Sequence, residues 1–198
     1  MEGLIVEQRS YDPESPDTLL SLIRQRRVTR VFSEDPLERR DLERLAEAAY
    51  WAPNGGGRRP VRVVGVSEPR QLRRVLAVSP GIIGNPTAVL ALCIDWSRAP
   101  HLEANDSRDT HSLHVDIGAA MTHMLLMAEA MDVGACPVMS FHRPSICGLL
   151  DMPSDWTPLI LVTLGRRVAP PPHRDRPPAD LTTFLSFERV PPRSTSDV

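Results

Sequence analysis

Three arginines crowd into five residues, Arg26-Arg27-Val28-Thr29-Arg30, directly ahead of Val31-Phe32. About one helix later comes a glycine-rich turn, Trp51-Ala52-Pro53-Asn54-Gly55-Gly56-Gly57-Arg58-Arg59-Pro60. A guanidinium is always charged and grips phosphate through paired N–H donors, so the first segment suits a phosphate-bearing ligand. Arg26 and Arg30 are four residues apart and would share one face if the preceding helix ran through them. The second segment can form a tight backbone that a flat ring approaches closely. The two read as walls of a pocket for a planar group with a phosphate tail. The plainer readings stand beside this one: arginines at a helix end cap its last carbonyls, and Asn54 to Gly57 forms a helix C-terminal turn.

Composition narrows the chemistry. Every one of the 23 basic residues among the 198 is arginine, which excludes a Schiff-base lysine and the lysine of a phosphate-binding loop. A net charge of -2 implies no broad attraction to nucleic acid or anionic lipid. Cys93, Cys136 and Cys147 are odd in number, form no C-x-x-C pair and sit in apolar runs, so buried free thiols are expected. His111, His114, Asp116 and His123 invite a metal reading, but no H-E-x-x-H pattern accompanies them; solvated or interface histidines, and no metal, are expected. The start of the chain has no signal-peptide pattern, and no apolar run is long enough to span a bilayer, so a cytoplasmic protein is the default expectation.

The elements that must position these residues follow from pattern. Ser15-Pro16-Asp17 opens a helix whose Leu19, Leu22, Ile23 and Arg26 share a face. A second helix is predicted from about Glu38 to Trp51, with Leu42, Leu45, Ala46 and Ala49 at helical spacing. Strands are predicted over 61–66, 88–94, 135–139 and 158–164, the second a continuous apolar run and hence central. Short helices are predicted over 69–78 and 144–150, and a loop over 96–108. The longest helix candidate, Asp109 to Met131, carries apolar residues on several faces and is expected to be central or in an interface, with Gly134 ending it. Arg166-Arg167 reads as a solvated strand end, and Pro170-Pro171-Pro172 opens an extended tail. The mixture predicts an α+β layered fold. The expected organisation is a tail over 1–15, one domain over 16–190 and a disordered end over 191–198.

The order of these pieces resembles the nitroreductase superfamily of FMN-dependent oxidoreductases, over about Thr18 to Asp180. The resemblance rests on R-R-x-x-R-x-F, the A-P-x-x-G-x-x-x-P turn, the long helix, Gly134-Ala135-Cys136-Pro137-Val138-Met139-Ser140-Phe141, Leu149-Leu150-Asp151-Met152-Pro153 and Leu161-Val162-Thr163-Leu164-Gly165. It implies a mostly antiparallel central sheet flanked by helices, in an intertwined homodimer with exchanged C-terminal arms and FMN at the interface. It implies that Arg26, Arg27, Val28 and Arg30 form the first FMN-contacting segment. Pro53, Asn54, Gly55 and Gly57 would cover flavin from the partner subunit. Val138, Met139 and Ser140 would lie against the ring, with the Ser140 backbone N–H near N5, and Arg174 and Arg176 would help grip the phosphate. Relatives commonly carry serine at the position of Val28, asparagine at Gly57, glutamine at Arg59 and tryptophan at Val61.

The implied activity is ping-pong hydride transfer through flavin N5, with NAD(P)H or an organic donor as reductant and a small molecule as second substrate. No triad-type catalytic side chain is expected, since the cofactor supplies the reaction. Two alternatives stay open: a flavin-dependent dehydrogenase or oxidase of a peptide, azoline or cyclic dipeptide, and an inactive flavin-fold binding or assembly subunit. A second kind of subunit also remains open as a partner.

Overall fold

The computed structural model describes residues 15–99, 107–168, 177 and 179–189. Expectations for residues 1–14 and 191–198, for Arg174 and Arg176, and for Pro170 to Pro172 lie outside the described residues.

Four strands form one antiparallel sheet: β1 (Val61–Val66), β2 (Ala88–Asp95), β3 (Val133–Val138) and β4 (Trp156–Arg166), in the spatial order β1-β2-β4-β3. Successive side chains on a strand point to opposite faces. On β2, Leu90, Leu92 and Ile94 therefore join one core while Val89, Ala91 and Cys93 join the other. The first core lies under α2 (Arg39–Tyr50) and α4 (Ser107–Ala130). The second lies under α3 (Pro69–Ala77) and α5 (Arg143–Leu149). Covering both faces is why β2 is a continuous apolar run with every residue buried.

Local signals explain the helix ends. Glu38 and Asp41 form a reciprocal capping box at the start of α2. The Glu68 carboxylate accepts from the backbone N–H groups of Arg70 and Gln71 at the start of α3. The α4 stripe is as its spacing predicts: Leu113, Ile117, Met124, Leu125 and Ala128 are buried.

Several expectations are corrected. The first helix, α1 (Ser15–Gln25), stops before Arg26, so Arg26 and Arg30 lie on an extended segment and share no helix face. Its Leu19 and Ile23 are exposed. The loop predicted over 96–108 begins with a helical turn, Trp96–Arg98, and ends inside α4, which starts at Ser107. Gly134 does not end α4: the helix closes at Ala130, Asp132 makes the turn with φ of 52°, and Gly134 lies within β3. The strand needs glycine there because a β-carbon would lie 2.7 Å from Thr29 Cγ2. Across the ladder its partner Gly165 is pressed equally closely by Phe32.

Arg166 and Arg167 are not a solvated end. Arg166 pairs with Asp41 at 2.7 Å, and Arg167, its side chain 8% exposed, pairs with Glu129 at 2.5 Å. The extended tail contains a short helix, α6 (Leu181–Phe184), with Phe184 and Phe187 exposed. Among the described residues, no helix is long and apolar enough to cross a membrane.

Candidate functional site

The arginine segment crosses the ends of β3 and β4 and is tied to both. Thr29 N–H donates to the Ala135 carbonyl at 3.0 Å, and Ser33 N–H donates to the Arg166 carbonyl at 2.9 Å. Phe32, 2% exposed, anchors the segment over the glycine pair of β3 and β4. This places the Arg30 guanidinium beside the Cys136 thiol. Burial raises the Cys136 pKa, and Arg30, then Thr163, act against that rise. Arg27 takes the plainer role as well: its Nη1 donates to the Arg24 carbonyl at 2.5 Å and to the Gln25 and Arg26 carbonyls at 3.1 Å, capping α1. Val28 is exposed.

A loop after α3 ties this segment to the end of β3. Gly81 N–H donates to the Ser140 carbonyl at 2.9 Å, and a β-carbon on Gly81 would lie 2.7 Å from Ser140 Cβ. Three residues on, Gly84 packs against the Arg30 carbonyl. Asn85 then clamps Phe32 from both sides: its Nδ2 donates to the Phe32 carbonyl at 3.0 Å, and its Oδ1 accepts from Phe32 N–H at 3.3 Å. The loop thus brings Arg30 and Ser140 to one edge of the sheet. Val138 is buried there, whereas Met139 is 72% exposed. The Ser140 backbone N–H has no partner among the described residues.

Pro53, Asn54, Gly55 and Gly57 are not part of that edge. They form a turn between α2 and β1, over the face that carries α4. Asp116 of α4, 6% exposed, holds the turn by accepting from Gly55 N–H at 3.1 Å. Asn54 Oδ1 accepts from Arg59 N–H at 3.0 Å, closing the loop. Beneath the turn is a cavity of about 330 Å³. Within one chain, therefore, the predicted residues fall into two groups on different parts of the sheet.

Sequence reasoning missed Asn85, and it took Asp116 only as a candidate metal ligand. Asn85-Pro86 reads as a turn, and nothing local shows that the asparagine reaches back 53 residues to Phe32. Among the described residues, no group of three His, Cys, Asp or Glu side chains is placed to hold a metal.

The nitroreductase family model matches residues 23–81 and 79–166, the span holding both groups. The chain belongs to the nitroreductase family.

A family relative from Archaeoglobus fulgidus, provisionally named an NADH dehydrogenase/NAD(P)H nitroreductase, is 27% identical over 153 residues, covering 74% of this chain and 83% of its own. The 5,6-dimethylbenzimidazole synthase of Rhodobacter capsulatus is 25% identical over 179 residues, covering 79% of this chain and 86% of its own. Among solved structures, the NADPH:FMN oxidoreductase of Vibrio harveyi, complexed with NAD+, superposes with a TM-score of 0.75 at 20% identity, covering 90% of this chain and 80% of that one. At that identity the likeness establishes the nitroreductase fold.

Proposed function

We propose that the chain is an FMN-dependent oxidoreductase that works by ping-pong hydride transfer, with NAD(P)H or an organic donor as reductant. The observation that carries this reading is the joining of Arg30 and Ser140 at one edge of β3 by the Gly81–Asn85 loop. The names of the Archaeoglobus and Vibrio proteins support it.

The donor set fits FMN. Arg30 makes no ion pair among the described residues, so its charge is available to an anion. Arg26 would hold the phosphate-bearing side of the cofactor, with Arg174 and Arg176 completing the grip. Arg27 contributes charge while fixing the bend after α1, and Val28 offers backbone contact. The Ser140 N–H would hold the ring in register, Val138 and Met139 would pack against it, and Arg30 would stabilise negative charge on its edge. When bound, FMN supplies hydride acceptance and donation at N5; the protein supplies binding, orientation and access.

The second wall comes from a second copy. In a homodimer the partner subunit's Pro53, Asn54, Gly55 and Gly57 would cover the ring, and the C-terminal arms would be exchanged. Leu19 and Ile23 on α1, with Val115 on α4, are exposed apolar side chains that such an interface would bury.

The test is anaerobic. Purified protein is saturated with FMN and titrated with NADH, NADPH and candidate organic donors while the visible flavin band is followed. Bleaching by a donor and recovery with an acceptor are expected. A protein that is colourless once excess FMN has been removed by gel filtration would sink the proposal.

A further inference from the structure

We propose that the cavity beneath the Asn54–Arg59 turn binds a small organic carboxylate that carries a hydrogen-bond donor on a compact apolar body. The inference deepens the reading above, which would make this cavity a substrate subsite, but the binding chemistry stands on the cavity itself.

Three charged groups line the cavity, Arg59, Arg62 and Asp116, and neither arginine forms an ion pair with Asp116 among the described residues. Arg59 is half-buried, its guanidinium 4.0 Å from the Tyr50 ring centroid and 5.7 Å from that of Trp51. Stacking on aromatic rings fixes the plane of the guanidinium and leaves its N–H edge free. The backbone is fixed too: Arg59 has φ of 49°, its N–H is held by Asn54, and its carbonyl accepts from Arg62 Nη1 at 2.9 Å. Arg59 forms no ion pair among the described residues. Its neighbour Arg62 differs, being neutralised by Asp95 at 2.9 Å. The cavity therefore holds one uncompensated positive charge at a fixed place.

Asp116 supplies the second pole. Its Oδ1 is engaged by Gly55, and its Oδ2 takes no hydrogen bond among the described residues. Between the poles the walls are small and apolar: Ala46, Ala49, Ala120 and Val61. These short side chains are why a volume of about 330 Å³ is left open. A carboxylate matches the guanidinium edge through two parallel hydrogen bonds. A hydroxyl or amine on the same ligand matches the free Asp116 oxygen, whereas a second anionic group there would be repelled.

The test uses 3-hydroxybenzoate as probe, by isothermal titration calorimetry on the FMN-saturated full chain. One saturable site per chain is expected. Benzoate should bind about threefold to tenfold more weakly for lack of the donor. Arg59→Gln should weaken 3-hydroxybenzoate by about tenfold or more. Val61→Trp, which fills the cavity from a half-buried strand position, should abolish binding. Absence of saturable binding, an unchanged dissociation constant in Arg59→Gln, or binding that survives Val61→Trp would overturn the proposal. Repeating the titration without FMN separates the two readings. Carboxylate binding by a chain that takes up no flavin would overturn only the flavin proposal; flavin uptake without carboxylate binding would overturn only this one.

Discussion

A β-carbon built on Gly84 would lie 1.6 Å from the carbonyl oxygen of Arg30. Gly84 also holds a φ of 92°, a conformation that side chains rarely adopt. The loop after α3 can approach the arginine segment only because this position is glycine, and the neighbouring Asn85 then locks Phe32 by two hydrogen bonds.

Gly84→Ala should therefore act on both stability and binding. The strained backbone alone costs about 1–3 kcal/mol, and the clash pushes the Arg30 segment off β3. A lowered urea midpoint and an FMN dissociation constant raised by about tenfold are expected, read by denaturation and flavin fluorescence. Wild-type values for both would show that the approach is unimportant.

The arginines should separate by role. Arg30→Gln is expected to raise the FMN dissociation constant by about tenfold or more, through loss of a charge-assisted contact. Arg27→Gln should weaken FMN less and cost about 0.3–1 kcal/mol of stability, because it removes the cation at the α1 C-terminus. Fluorescence titration of both variants, paired with thermal melts, checks the ordering; equal effects on FMN would contradict it.

Arg167 should be a large structural contributor. Arg167→Met strands the buried Glu129 carboxylate, and a loss of about 3–5 kcal/mol is expected in urea unfolding. The double variant Arg167→Met with Glu129→Met should recover much of that loss, since no charge is then left buried alone. A double variant no more stable than the single one would speak against this account.

The thiols predict an alkaline limit. Burial pushes the Cys93 pKa up from 9.0 to about 12, with the nearby Cys147 adding to the rise. A group whose folded pKa is raised contributes its stability in full below the unfolded pKa, and that contribution is lost as pH rises through the folded value. The unfolded chain ionises first, so stability should fall between pH 9 and about 12. Cys93→Ala should flatten that part of the unfolding profile, and in the native protein at pH 8 Cys93 should resist alkylation while the half-buried Cys147 reacts. Fast labelling of Cys93 would contradict its burial.

Assembly is checked by light scattering. A homodimer has twice the 22.0 kDa chain mass. Ile23→Asp with Val115→Asp puts charge on the exposed apolar side chains of α1 and α4, and should yield monomers that retain less flavin. A dimer unchanged in mass and flavin content would place the interface elsewhere.

Much of the fold was legible because its signals are local. The β2 run announces a strand buried on both faces, and the spacing of Leu113, Ile117 and Met124 marks the inner side of α4. What was misread depended on distant partners. Gly134 looks like a helix stop until Thr29 and Phe32 are seen against it. Arg166 and Arg167 look solvated until Asp41 and Glu129, 125 and 38 residues away in sequence, are brought beside them. The candidate site divides the same way. Its arginines and glycines stand out by type and spacing, but the loop that brings Arg30 to Ser140 is joined through backbone groups and one asparagine, which carry no periodic signal.

The sheet order has a consequence during synthesis. β4 is the last of the four strands to be made, yet it is the one that bridges β2 to β3. Until it emerges, one side of β2 has no hydrogen-bonding neighbour and its eight apolar-rich residues have incomplete cover. A nascent chain of this protein therefore passes through a sticky interval with an open strand edge, and forms truncated before Trp156 should be chaperone clients or aggregate rather than fold in part.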